Sequence, residues 1–183
     1  MNRLFILPLF FSFLSFSQQT YVKGYIVQLS GDTMRGEVKI NAKKEIDQFV
    51  RVAFKENSGI QRVYKADKLK AYGFETKNFI PGKNDGESVF YKVLSTGALE
   101  LFELQYEVLQ MNEIRVKSQY YIKKTGNEEY IKVKHNRFKK QITDLMGDNL
   151  KLVKEIDENK NLEMENMVEV FNQYNIWAKA NKS

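Results

Sequence analysis

From Thr20 to about Lys134 the side chains alternate between apolar and polar with a period of two, and this constrains the fold more than any other feature of the chain. Met34, Gly36, Val38 and Ile40 alternate with Arg35, Glu37 and Lys39, the pattern of a strand with one wet face. Residues 21–29 precede it, and Ser30-Gly31-Asp32-Thr33 between them is turn chemistry, so the first two strands are expected to form a hairpin. Val50, Val52 and Phe54 repeat the alternation, Glu56-Asn57-Ser58-Gly59 turns the chain, residues 60–65 return, and residues 69–74 read as a short further strand. Residues 75–87 hold Pro81-Gly82 and Asn84-Asp85-Gly86 and read as a loop. Residues 88–95 and 98–109 read as a hairpin about Thr96-Gly97, and residues 118–124 and 129–134 as a last pair. About eight or nine short strands with regular turns predict an antiparallel β-rich region of barrel or sandwich type. Strands and helices do not alternate, so a parallel nucleotide-binding sheet is not expected.

After Asn136 the period changes to that of a helix. Phe138, Ile142, Leu145 and Met146 fall on one stripe, with Gly147 as its stop and Asp148 as the expected N-cap of the next segment. Leu152, Val153 and Ile156 continue on a second helix. Asn161 is the expected cap of a third, with Met164, Met167, Val168, Phe171, Tyr174 and Ala178 on its apolar face. That Met-rich face could hold a peptide, but its simpler reading is a helix packed on the sheet. The reading is therefore α+β: a β-rich region over residues 18–135 and about three C-terminal α-helices over 136–183, packed as a single domain.

Residues 1–17 read as an address. Met1-Asn2-Arg3 is a short positive start, the thirteen residues from Leu4 to Phe16 carry no charge, and Ser15-Phe16-Ser17 closes the run with small residues at −3 and −1. This is the order of a cleavable secretory signal peptide, and it is shorter than the roughly 20 apolar residues of a membrane span. Cleavage would leave Gln18 first, and the expected location is the periplasm, the envelope or the medium. No cysteine follows the run, which excludes a lipid-anchored lipoprotein.

The chain of 183 residues has no cysteine and one histidine. Disulfides, cysteine-based zinc or iron–sulfur centres, thiol nucleophiles and multi-histidine metal sites are all excluded, and no cofactor is implied. His135 lies at the expected strand-to-helix junction beside Lys134 and Arg137, and no G-x-S-x-G elbow accompanies it. Glu100, Glu103 and Glu107, or Glu165 and Glu169, are spaced as carboxylate pairs, a pattern of low specificity that leaves open a hydrolase acting on a glycan or envelope polymer. Asn84-Asp85-Gly86-Glu87 is a fragment of a calcium loop and reads as an ordinary turn.

Charge is distributed unevenly. The formal net charge is +6, yet residues 115–140 alone carry nine basic side chains against two acidic ones, while residues 141–183 are net acidic. Within this block Lys123, Lys124, Lys132, Lys134, Arg137 and Lys140, with Tyr121 and Tyr130 interleaved, are the candidate ligand-binding residues. Their partner would be anionic: a glycan, a membrane surface or an envelope protein, since export disfavours nucleic acid. The competing reading is a solvated face that balances the acidic helices. The leading expectation is a non-catalytic binding or interaction module.

One compact segment remains, Gly24-Tyr25-Ile26-Val27-Gln28-Leu29-Ser30-Gly31-Asp32-Thr33-Met34-Arg35-Gly36-Glu37. Glycines inside strands mark strong bending or close backbone approach, and two flanking one turn suit a tightly curled small barrel. A hairpin of this form just after a signal peptide, with the later Val63-Tyr64, Tyr72-Gly73-Phe74 and Tyr174-Asn175 steps, resembles a group of uncharacterised exported proteins of Bacteroidota. The resemblance implies an envelope location and supplies no catalytic residue. It also implies cysteines near the ends of the C-terminal helices; Asn149 and Trp177 stand in those neighbourhoods here, so no disulfide forms there.

Overall fold

The computed structural model describes residues 20–41 and 44–181. Residues 1–17, read from the sequence as a signal peptide, lie outside these residues. Ten strands form one antiparallel sheet: β1 (Thr20–Gln28), β2 (Thr33–Ile40), β3 (Arg51–Glu56), β4 (Gln61–Lys65), β5 (Leu69–Phe74), β6 (Lys77–Asn84), β7 (Glu87–Ser95), β8 (Leu99–Gln110), β9 (Glu113–Lys124) and β10 (Ile131–Lys132). A one-turn helix, α1 (Asp47–Val50), precedes β3, and α2 (Phe138–Leu145), α3 (Leu150–Glu158) and α4 (Met167–Asn181) follow the sheet. The α+β class and the division into a β-rich part and C-terminal helices are as the hydrophobic period predicts.

The strand order is β10-β9-β8-β7-β6-β5-β1-β2-β3-β4, so two meanders meet where β5 pairs with β1. This order cannot lie flat. From β4 to β5 the sheet takes four interstrand steps, about 19 Å at about 4.8 Å each. The chain makes the same connection through the 3-10 turn Ala66–Lys68 alone, a reach of about 14 Å at most. The sheet must therefore roll until β4 approaches β5. Gly24 and Gly36 stand directly opposite each other in β1 and β2. A Cβ on Gly24 would lie 2.5 Å from the Gly73 carbonyl oxygen and 2.7 Å from Val38, and one on Gly36 would strike the Lys55 carbonyl and the Phe54 ring. The paired glycines are what lets the roll close.

Two cores result. Inside the roll lie Ile26, Val38, Phe49, Phe54, Tyr72 and Phe79, with Phe102, Leu104 and Tyr121 supplied by β8 and β9. On the opposite side Leu99, Leu101 and Ile122 of the same two strands pack beneath Ile142, Met146, Leu152, Ile156, Phe171 and Tyr174 of the helices. β8 and β9 are thus covered on both faces over their inner halves, and they form the wall between the two cores.

The structure corrects three sequence expectations. Residues 75–87 are not a loop: β6 runs through Pro81-Gly82 and turns into β7 at Asp85-Gly86, both residues having positive φ. Proline is tolerated there because only residues 77–79 of β6 pair with β5, so Pro81 pairs with Phe90 on one side and needs no donor on the other. The Tyr91 ring lies over Gly82 and fills the space that its missing side chain leaves. Second, Gln110 and residues 113–117, left outside the expected strands, are strand, because β8 and β9 stay paired up to a two-residue turn at Met111-Asn112, both at positive φ. Third, the caps lie one to two residues beyond the expected positions. Asn149, not Asp148, accepts the Leu152 N–H at 3.1 Å, and Glu163 with Asn166 forms the capping box before α4 in place of Asn161.

Candidate functional site

The corner where the sheet hands over to the helices gathers the positive charge. β10 is only two residues long, and after Lys132 the chain leaves the sheet with one more bond, from the Val133 N–H to the Tyr120 carbonyl at 2.9 Å. Val133 is buried under the helices, which turns Lys134 outward. The next strand position is taken by a side chain. The Gln141 amide of α2 accepts from the Lys134 N–H at 2.7 Å and donates to the Lys132 carbonyl at 3.1 Å, standing in for a neighbouring strand. Phe138 and Ile142 anchor the inner face of α2 in the helix-side core, leaving Arg137, Lys139 and Lys140 on its outer side.

A groove of about 600 Å³ is lined there by Lys134, His135, Arg137, Lys139 and Lys140, with Asp144 as its only carboxylate. Lys140 pairs with Asp144 at 3.2 Å, and the Lys139 ammonium donates to the Asn159 carbonyl. Lys134 and Arg137 have no carboxylate within ion-pair distance among the described residues. The first turn of α2 contains no acidic residue and no side-chain cap, so its backbone N–H groups add partial positive charge to the same corner. The His135 Nδ1 lies 2.9 Å from the Met164 sulfur, which gives it no acid–base partner.

The other candidates lie elsewhere. Lys123 forms a 3.0 Å pair with Glu100 and stands over the Tyr130 and Phe102 rings at 5.3 and 5.9 Å. Burial is the largest influence and opposes its charged form, but the Glu100 hydrogen bond together with the electrostatic attraction of Tyr130 and Glu100 outweighs it and holds the Lys123 pKa above the ordinary lysine value. Tyr121 is 6% exposed, stacks on Tyr91 at 4.8 Å and donates to the Asn84 side chain at 2.9 Å. Tyr130 packs edge-on against Tyr91 and Phe102. Lys132 is the register partner of Tyr121 and shares its face, away from α2, and Lys124 is exposed at the end of β9. The structure therefore brings together Lys134, Arg137 and Lys140 and adds Lys139. It places Lys123, Lys132, Tyr121 and Tyr130 on the opposite face of the sheet, where the two tyrosines are packing elements. Gln141, which sets the corner, carried no signal in the sequence beyond being a polar residue on a short amphipathic helix.

Of the carboxylates of the hydrolase reading, Glu100 and Glu103 are held in structural contacts, while Glu107, Glu165 and Glu169 are exposed on the surface. Glu103 is 7% exposed, accepts from Ser118 at 2.6 Å and Gln105 at 3.0 Å, and faces Lys92 at 3.6 Å. A second groove of about 700 Å³ beside the first hairpin is lined by Lys23, Arg35 and Lys55 against Glu37, Glu56 and Glu75. There Glu37 pairs with Lys55 at 3.1 Å and Glu56 with Arg62 at 3.3 Å. Among the described residues no three potential ligands cluster as a metal site, and no helix is long and apolar enough to cross a membrane. Compared with protein families, curated proteins and solved structures, the chain matches none of them.

Proposed function

We propose that the protein is an exported, non-catalytic binding module that engages an anionic envelope polymer through the corner formed by Lys134, Arg137, Lys139 and Lys140. The observation that carries this reading is the groove itself, with four cations and a helix N-terminus converging on about 600 Å³ that contains a single carboxylate. Such a surface suits sulfate or phosphate groups repeated along a chain, because several exposed cations then act on one ligand. The signal-type segment 1–17 supports an extracytoplasmic setting for that encounter, as does the resemblance to exported Bacteroidota proteins.

Heparin, as a sulfated polymer, tests the site by titration at low and moderate salt. Binding should weaken steeply as salt rises, since exposed charges are screened within about 8–10 Å. The combined substitution Lys134→Ala, Arg137→Ala and Lys140→Ala should lower affinity by roughly tenfold, as expected for the loss of three exposed ionic contacts. Removing Lys23, Arg35 and Lys55 from the charge-balanced groove subtracts the same net charge and should leave affinity within about threefold. Equal losses in both triple variants would reduce the effect to overall charge and overturn the assignment. Amino-terminal sequencing of the exported protein should begin at Gln18; a retained Met1 in the extracytoplasmic fraction would remove the signal-peptide reading.

A further inference from the structure

The outer half of the β8–β9 hairpin pairs with no other strand among the described residues. β7 last pairs with β8 at Glu103 and β10 last pairs with β9 at Tyr121, yet β8 and β9 remain paired to Gln110 and Glu113. Residues 113–118 are all exposed, and Leu109, Ile114 and Val116 lie on one face of the ribbon, 55–75% exposed. A twisted ribbon with two open edges and an apolar face is costly to leave bare, because each edge presents unpaired backbone donors and acceptors to other strands.

The β9 edge can pair with itself. The Tyr120 carbonyl points away from β8, since it accepts from Val133. β9 follows an unbroken register, so Ile114, Val116 and Ser118 turn their N–H and C=O groups to the same open edge, where no strand pairs among the described residues. If two copies of β9 run antiparallel about a two-fold axis at Arg115, Ile114 of each faces Val116 of the other. Both residues carry outward backbone groups, so the two pairs exchange four N–H···O bonds. Glu113 then faces Lys117 of the other copy, twice. Arg115 meets its own symmetry mate, a like-charge contact softened by the 3.1 Å pair that each Arg115 makes with its own Glu113. The β8 edge offers no such match, because residues 104–110 carry Glu107 and no cation. Pairing of β8 with β9 of another copy would be heterologous and would not close by a two-fold.

We infer that the protein forms a symmetric dimer by antiparallel pairing of the β9 edges, with Ile114 and Val116 as its apolar contacts and Glu113 and Lys117 as its charge code. The partner is a second copy of this chain, and the contact stands apart from the basic corner.

Sedimentation equilibrium of the purified protein over a concentration series tests the dimer. A reversible monomer–dimer equilibrium is expected, with dissociation tighter than about 1 mM. Val116→Pro removes an N–H that faces solvent in the monomer, so it should abolish dimerisation and leave the far-ultraviolet circular dichroism unchanged. Lys117→Glu sets two acidic pairs opposite each other and should weaken the dimer by roughly tenfold, as should Glu113→Lys. The double variant Glu113→Lys/Lys117→Glu should restore it to within about threefold of the starting protein. A monomer at every concentration overturns the inference. So does a dimer indifferent to Val116→Pro, and so does a failed charge swap in a folded double variant, each of which places any self-association on another face.

Discussion

At the scale of single residues, the fold turns on places where a side chain is absent. Gly36 faces Gly24 across the first hairpin, and a methyl group there would enter the Lys55 carbonyl and sit 2.6 Å from the Phe54 ring. Neither neighbour can yield cheaply, since one is backbone and the other is a buried core ring. Gly36→Ala should cost about 1–3 kcal/mol in urea-denaturation stability by overpacking. Gly59 makes the useful contrast. A Cβ there meets nothing within 4 Å, and its φ of +87° leaves only the left-handed backbone penalty of roughly 1–2 kcal/mol. If Gly36→Ala proved the milder of the two, close approach would not be what this glycine provides.

At the scale of elements, the helices are attached to the sheet by amide side chains that imitate strands. Gln141 does this for α2 at Lys132 and Lys134. Asn175 does it for α4: its Oδ1 accepts from the Leu99 N–H at 2.9 Å, while its Nδ2 donates to the Leu99 carbonyl at 2.8 Å and to Ser95 Oγ at 3.1 Å. Ser95 in turn donates to Asn172 at 2.7 Å, and Gly97 leaves the room that Asn175 occupies. Asn175→Ala should therefore unpair the N–H and C=O of a buried β8 residue and lower stability by about 1–3 kcal/mol, read as a fall in the thermal midpoint. Asn181→Ala, which loses only an exposed bond to the Trp177 carbonyl, should stay within about 0.5 kcal/mol.

At the scale of the whole molecule, the interior of the roll is rich in tyrosine, and this ties folding to high pH. Burial raises the phenol pKa values of Tyr72, Tyr91, Tyr121 and Tyr130 above the ordinary value of 10. Tyr72 is fully enclosed and donates to the Gln48 carbonyl at 2.5 Å, so ionisation would also break that bond. In the unfolded chain these groups ionise near pH 10, whereas the folded protein holds their protons. The stability this represents is complete below about pH 10 and is lost as pH rises above it, because the unfolded state then binds fewer protons than the native state. The share of tyrosinate absorbance that comes from these four rings should appear together with the loss of near-ultraviolet circular dichroism in one cooperative step above about pH 10. Ionisation of all ten tyrosines before any loss of tertiary signal would contradict the burial of these rings.

The alternation of side chains was enough to determine the antiparallel α+β class, most strand positions, the helical C-terminus and the location of the charge excess, because each depends on a local period or a local count. β6 was not legible: Pro81-Gly82 breaks a strand only where both edges need donors, and the pairing that relieves Pro81 of this need is set by β5 and β7. The outer ribbon was missed for a similar reason, since its turn places Met111 and Asn112 in a backbone conformation that neither residue advertises. The basic block was visible as a sum of charges, but its division was not. Whether a lysine on a strand joins a groove or an ion pair depends on which face meets the helices, and that follows from β8 and β9 being buried on both sides. Local chemistry determined the elements and the charge; only the rolling of the sheet decided which residues face one another, because opposition across strands is a property of register and curvature rather than of sequence proximity.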